Sequence, residues 1–285
     1  MFVEILVYGA VTSAIYSMLA VGFTLVFGVA RVLNLAHGSF YAIGAYLAYL
    51  FAVQLHWPLL LAALAAAALA ALFGVGVDRY LVRPQRASQL AVMMVTLGLS
   101  LIVEQLLLVG FGSEVRNVPA FIEQKFSIGA ADVSGQRLLT LGLSIALLAA
   151  LWLGIQRTRI GAAILAISQD PLAAQYMGIP VERIYTVVFA LSAAFSAAAG
   201  VLAGPFMSVQ PGMGLVAMTK AFAIVIVGGI GSLPGSLLAA LLLGYSETLV
   251  AYLISSSWTE VVSLAAVLVT LLLRPAGLLG KRPAF

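Results

Sequence analysis

The chain has 285 residues, 63% of them hydrophobic and 8% charged, with a net charge of +4 and a mean hydropathy of +1.14. Soluble domains run at about 45–50% apolar and about 25% charged, so a soluble fold is excluded. With no cysteine there is no disulfide, thiolate metal site or cysteine nucleophile, and without a basic cluster on a soluble face no nucleic-acid partner is expected.

A bilayer core about 30 Å thick takes roughly 20 apolar residues to cross as a helix. Spans are predicted at 3–29, 38–55, 58–82, 88–110, 138–155, 184–204, 219–231, 236–254 and 258–273. Runs such as Leu59–Val77 do not alternate, which excludes a transmembrane barrel. The fold class is therefore all-α: a polytopic integral membrane bundle of about 8–10 transmembrane helices, forming a single domain over 1–285. Met1-Phe2-Val3-Glu4 lacks the basic region of a signal peptide, so the first span is expected to stay in the protein.

Along the chain, the first irregularity is Arg31–Ser39, a polar break between apolar flanks that contains Asn34, His37, Gly38 and Ser39. It is either a short cytoplasmic turn or an unwound stretch inside the membrane, which protein must shield because lipid satisfies no backbone groups. His37 either caps the following helix and fills the break or lines a pathway. His56, before Trp57-Pro58, reads as an outer interface anchor. Arg79, Arg83 and Arg86 follow the third span. The 111–137 loop is neutral, with Arg116, Lys125 and Arg137 against Glu114, Glu123 and Asp132, and is expected to face outward.

Between the fifth and sixth spans lies a polar island, Gln156–Arg183. Asp170 suits an N-cap and Pro171 the first helical position, whose N–H is unused anyway. Gly178 and Pro180 end a helix that reaches them. Residues 171–177 are thus predicted to form a two-turn helix, too short to be stable alone in water, so something packs against it. Arg157, Arg159 and Arg183 flank the island, and Arg274, Lys281 and Arg282 come after the last span. With the Arg79–Arg86 cluster, nine of the fourteen basic residues fall on one side of alternating spans. Basic loops favour the cytoplasm, which places the island and the C-terminus there.

The last irregularity is Gly228–Ser236, a Gly/Pro interruption that includes Gly229, Gly231, Ser232 and Gly235. Paired interruptions in a transporter point to its pathway. Charges at membrane depth invite a functional reading; here they are Glu104, Lys220 and Glu247. Lys220 is expected to snorkel to the outer surface, and the two glutamates to pair with basic groups or face a cavity. No nucleotide loop, H-E-x-x-H or G-x-S-x-G is present, and no metal site is expected from two histidines.

GFTLVFGVARVLNLAHGSFYAIGAYLAY at 22–49 resembles the signature of permease subunits of branched-chain amino-acid ABC importers. So do RPQRASQLAVMMVTLGLSLI at 83–102, RTRIGAAILAISQDPLAAQYMGIPVERI at 157–184, AFAIVIVGGIGSLPGS at 221–236 and LLLRPAGLLG at 271–280. The Arg31–Gly38 segment looks like the H-type subunit rather than its M-type paralogue. Urea and amide importers carry a similar segment, so urea, amide and aromatic-acid permeases stay open as alternatives. Ser39 departs from many relatives, which carry an acid there.

The resemblance implies a bacterial inner-membrane subunit without catalysis, ATP and Mg being bound by cytoplasmic ATPase subunits. It implies an M-type permease or a second copy as partner, and a periplasmic binding protein docking on loops 111–137 and 205–218. It also implies that 171–177 is a coupling helix in a groove of the ATPase, within the motif Ala173, Ala174, Gly178. Leu172 and Tyr176, i and i+4 on one face, with Met177 alongside, are the expected anchor. A helix lying in the headgroup layer is the other reading of 171–177. A self-sufficient ion-coupled transporter is the rival class and needs Glu104 and Glu247 as ion sites.

Overall fold

The computed structural model describes residues 2–128 and 131–280. Helix α1 (Phe2–Ala30) is apolar all round and almost entirely enclosed, as a helix without a polar face must be. Serines and glycines let its neighbours approach: Ser13 touches Gly244, and Gly9 takes the Tyr245 ring. Around α1 stand α2 (His37–Tyr49), α3 (Leu59–Gly76), α4 (Arg83–Gln85), α5 (Gln89–Phe111), α6 (Gly135–Arg157), α7 (Arg159–Gln169), α8 (Pro171–Tyr176), α9 (Val181–Ala203), α10 (Met213–Gly228), α11 (Leu233–Leu253) and α12 (Thr259–Leu273). Seven helical segments are long and apolar enough to cross a membrane; α10, at 16 residues, is shorter.

Helix α3 shows how one sequence serves two media. Ala62, Ala66, Ala70 and Gly74 recur every fourth residue and are buried. Gly74 lies so close to α9 that a Cβ there would come within 2.7 Å of Ala193. The opposite face carries Leu60, Leu61, Leu64 and Leu72, all exposed, as lipid contact requires. Past Gly76 the helix widens into a π-helical turn, Val77–Val82, which brings Asp78 into the interior.

Both ends of the bundle are defined by contacts. At one end, β1 (Lys125–Ile128) and β2 (Ala131–Ser134) form an antiparallel hairpin, pairing Phe126 with Val133. This hairpin was not predicted, since a short loop strand carries little periodicity. Arg116 and Val209 exchange backbone hydrogen bonds of 2.9 and 3.3 Å, joining the loops 111–137 and 205–218. At the other end lie α7, α8, the α10–α11 turn and residues 274–280. Arg86 and Glu182 meet there, and Leu279 shares a cavity with Arg31 and Gln169. The Arg79–Arg86 group, Arg183 and the tail after α12 thus share this end, as basic-residue counting expected; Lys281 and Arg282 lie outside the described residues.

Two helices start at part depth. His37 Nε2 lies 3.0 Å from the Leu19 carbonyl, and a Cβ on Gly22 would fall 2.9 Å from the His37 ring. Helix α1 continues from Gly22 to Ala30, about 12 Å further at 1.5 Å per residue. Residues 32–36 therefore run back into the bundle before α2 begins, enclosed by protein: Val32, Asn34 and Ala36 are buried. This is the unwound alternative of the two the break allowed. Helix α10 begins beside α2, with Gly214 packed on Gly38, and runs towards the end that holds α8. The two starts face each other near the middle of the bundle.

The Gly228–Ser236 segment differs from the expected interruption. It is a tight turn at the end of the bundle, where Gly229 (φ 103°) and Gly231 (φ 82°) supply a backbone that other residues resist. Ser232 caps α11 through the Gly235 N–H, and Leu278 and Leu279 donate to the Val227 and Gly228 carbonyls.

Candidate functional site: a capped helix tied into the bundle

Helix α8 forms as its sequence dictates. Asp170 is extended (φ −145°), and its Oδ1 accepts from the Leu172 and Ala173 N–H groups at 2.9 and 3.1 Å. At the far end Gly178 (φ 82°) donates to the Gln175 carbonyl and Ile179 to that of Ala174, satisfying the free carbonyls. The helix stops at Tyr176, with Met177 already in the turn. Ala174 packs inward. Leu172, Tyr176 and Met177 project outward at 66%, 89% and 83% exposure, and Ala173 is exposed beside them. Preceding α8, α7 is amphipathic, with Gly161, Ile164 and Ile167 buried.

The first turn of α9 fixes α8 to the bundle. Glu182, in that turn, accepts from Arg86 Nη1 at 2.8 Å and pairs with Arg83 at 3.0 Å. Arg86 Nη2 also donates to the buried Asp78 carboxylate at 2.5 Å, and Thr186 donates to that carboxylate at 2.6 Å. The guanidinium lies 4.3 Å above the Tyr185 ring. The first turn of α9, the end of α3 and the start of α5 are thus joined through one side chain. In the sequence Arg83 and Arg86 stand out only as topology markers; the signal for their second role is Asp78, a carboxylate that closes an apolar run eight residues before Arg86.

The residues proposed for a pathway fall in two places. Asn34, His37, Gly38 and Ser39 form one junction. Since Leu19 O only accepts, His37 Nε2 carries the proton and Nδ1 accepts from Ser192 at 3.1 Å. Ser196 donates to the His37 carbonyl at 3.0 Å, Thr96 Oγ1 accepts from the Leu35 N–H at 3.1 Å, and Ser39 donates to Ser100 at 3.1 Å. His37 is fully enclosed, whereas Ser39 lines a space the size of one water with Ser100, Glu104 and Gly214. Gly229, Gly231, Ser232 and Gly235 lie at the end of the bundle, with Gly231 against Gly28, about 9 Å along α1 from Gly22. There Gly231 and Ser232 line a cavity of about 1040 Å³ with Arg31, Ser168 and Gln169.

Lys220 corrects the expectation that it snorkels. It is 8% exposed, and its Nζ donates to Glu247 Oε1 at 2.6 Å and to Ser263 at 2.9 Å. Glu247 also accepts from Ser263 and, on Oε2, from the Tyr16 hydroxyl at 2.5 Å. Inward-facing small residues on α10 leave room for the stem, and pairing removes the need to reach water.

A helical bundle with seven long apolar spans, part-depth helices, a buried polar junction and a helical loop is that of a polytopic membrane protein. The chain belongs to the branched-chain amino acid transport system permease component family, whose sequence pattern matches residues 5–271. It is 30% identical over 295 residues to the high-affinity branched-chain amino acid transport system permease protein BraD of Pseudomonas aeruginosa, covering 98% of this chain and 96% of that one. Identity and coverage are the same with LivH of Escherichia coli K12. LivM of the same organism is 33% identical over 84% of this chain and 62% of its own length. Among solved structures, PsaBC from Streptococcus pneumoniae in complex with Fab shares the fold, with a TM-score of 0.56 at 14% identity, covering 96% of this chain and 93% of that one.

Proposed function

We propose that the chain is the H-type permease subunit of an ATP-driven importer of branched-chain amino acids in a bacterial inner membrane. The observation that carries this reading is α8: a doubly capped helix whose Leu172, Tyr176 and Met177 stand uncovered at the basic end of the bundle. Some 25–30 cal/mol per Å² of apolar area removed from water makes such a trio a ready anchor for a groove. The groove belongs to a cytoplasmic ATPase subunit that binds ATP and Mg; this chain catalyses nothing. An M-type paralogue or a second copy completes the pathway, and a periplasmic binding protein docks on the joined loops 111–137 and 205–218. The C-terminus is cytoplasmic.

Motion reaches the bundle through Arg86, which ties the first turn of α9 to the foot of α5. Against an ion-coupled transporter stands Glu247, whose carboxylate is already neutralised by Lys220 and hydrogen-bonded by Ser263 and Tyr16.

The test is transport in liposomes that contain this chain with its ATPase, permease and binding-protein partners. ATP-dependent uptake of leucine, isoleucine or valine is expected. Uptake of urea, small amides or aromatic acids instead moves the substrate assignment, and ion-driven uptake by the lone chain contradicts the class.

A further inference from the structure

Beside α8, but not part of its exposed face, a cavity of about 730 Å³ opens between the foot of α3 and the first turn of α9. Its walls include Val75, Ile179 and three arginines, Arg79, Arg83 and Arg183, against a single carboxylate, Glu182. Glu182 is taken by Arg83 and Arg86. Arg79 and Arg183 have no side-chain partner among the described residues, so two positive charges face the cavity uncompensated.

The charges sit where a lipid-facing surface ends. The exposed stripe of α3, Leu60, Leu64 and Leu72, leads along the helix to Val75 and then Arg79, which lies about 10 Å beyond Leu72. Tyr80, 74% exposed, adjoins Arg79, as aromatic side chains do at the headgroup level. An apolar track leading into paired guanidinium groups matches an acyl chain below a phosphodiester, whose two free oxygens suit the guanidinium fork. The anchor trio of α8 points elsewhere: Gln175 and Gly178 line the cavity, and Leu172, Tyr176 and Met177 do not.

We infer that this cavity binds the headgroup of an anionic phospholipid, held by Arg79 and Arg183, with Val75 and the α3 leucines receiving its chain. The bound lipid wedges between α3 and the segment that connects α8 to α9, so it bears on the element that transmits coupling. Lipid binding needs only a membrane-embedded chain; its bearing on coupling rests on the function proposed above.

Native mass spectrometry of the full chain, released from bilayers holding equal parts phosphatidylglycerol and phosphatidylcholine, tests it. The wild type is expected to retain phosphatidylglycerol selectively. The double variant R79Q/R183Q is expected to lose that retention about 30-fold, each charge near an anionic surface contributing about fivefold. R79K/R183K, which keeps the charge but loses the guanidinium fork, is expected to retain part of the lipid, and R159Q, which removes an arginine elsewhere on the same end, to retain all of it. If R79Q/R183Q folds poorly, either single variant is expected to show about a fivefold loss. Equal retention of the two lipids by the wild type, or unchanged retention by the glutamine variants, overturns the site. So does loss of ATPase association in R79Q/R183Q with lipid retention intact, which would assign the two arginines to a partner carboxylate.

Discussion

Lys220 Nζ lies 2.6 Å from Glu247 Oε1, joining α10 to α11 within a buried cluster that also takes in Tyr16 of α1 and Ser263 of α12. Four helices therefore share one charge pair. Removing one partner strands a buried charge, which costs about 3–5 kcal/mol, whereas replacing both by apolar groups of similar volume is often nearly neutral. K220M and E247M are each expected to lower the unfolding midpoint in detergent sharply, and K220M/E247M to recover most of the loss. Additive losses in the double variant would refute the pairing.

Gly38 and Gly98 make a second contrast. A Cβ at Gly38 would sit 2.0 Å from the Gly214 carbonyl oxygen, a backbone atom that cannot give way, while nothing lies within 4 Å of one at Gly98. Gly38→Ala is expected to abolish folded, monodisperse protein on size-exclusion chromatography. Gly98→Ala is expected to stabilise by about 0.5–1 kcal/mol through helix propensity. Normal folding of Gly38→Ala would contradict the close approach of α2 and α10.

Arg86 carries a prediction about function as well as stability. Arg86→Met leaves the Asp78 carboxylate buried without its cation, at a cost of about 3–5 kcal/mol. Asp78→Asn in the same chain removes that charge and is expected to restore expression. The doubly substituted chain still lacks the Arg86–Glu182 tie and keeps only the half-exposed Arg83 pair, so uptake is expected to stay low with ATPase subunits bound. Full uptake by the double variant would show that Arg86 transmits nothing.

Asp170→Ala frees two N–H groups at the start of α8, with a cost of about 0.5–2 kcal/mol. In a six-residue helix that is enough to fray it. Faster amide exchange is expected at residues 172–177 and unchanged exchange in α9. Unchanged exchange at 172–177 would mean that packing of Ala174, not the cap, holds the helix.

The long spans were legible because lipid imposes one rule, about 20 apolar residues, on every full crossing; α2 and α10, which start at part depth, escape it. Helix α8 was legible because Asp170, Pro171 and Gly178 each act locally. The features that stayed hidden depend on contacts distant in sequence. Nothing near Lys220 announces Glu247, 27 residues away, and nothing near Asp78 announces Thr186, 108 residues away. The two Gly-containing breaks look alike in sequence. One is a part-depth start enclosed by α1, α5 and α9, and the other is a turn at the end of the bundle; depth is set by neighbours, not by composition.

The most direct test of the account is co-purification of the ATPase subunit with L172D/Y176D, whose charges replace the anchor on the exposed face of α8 and touch no buried group. Loss of the ATPase and of uptake, with the variant still folded in the membrane, is the predicted result. Retention of the ATPase together with normal uptake would contradict the assignment of α8 as the coupling helix.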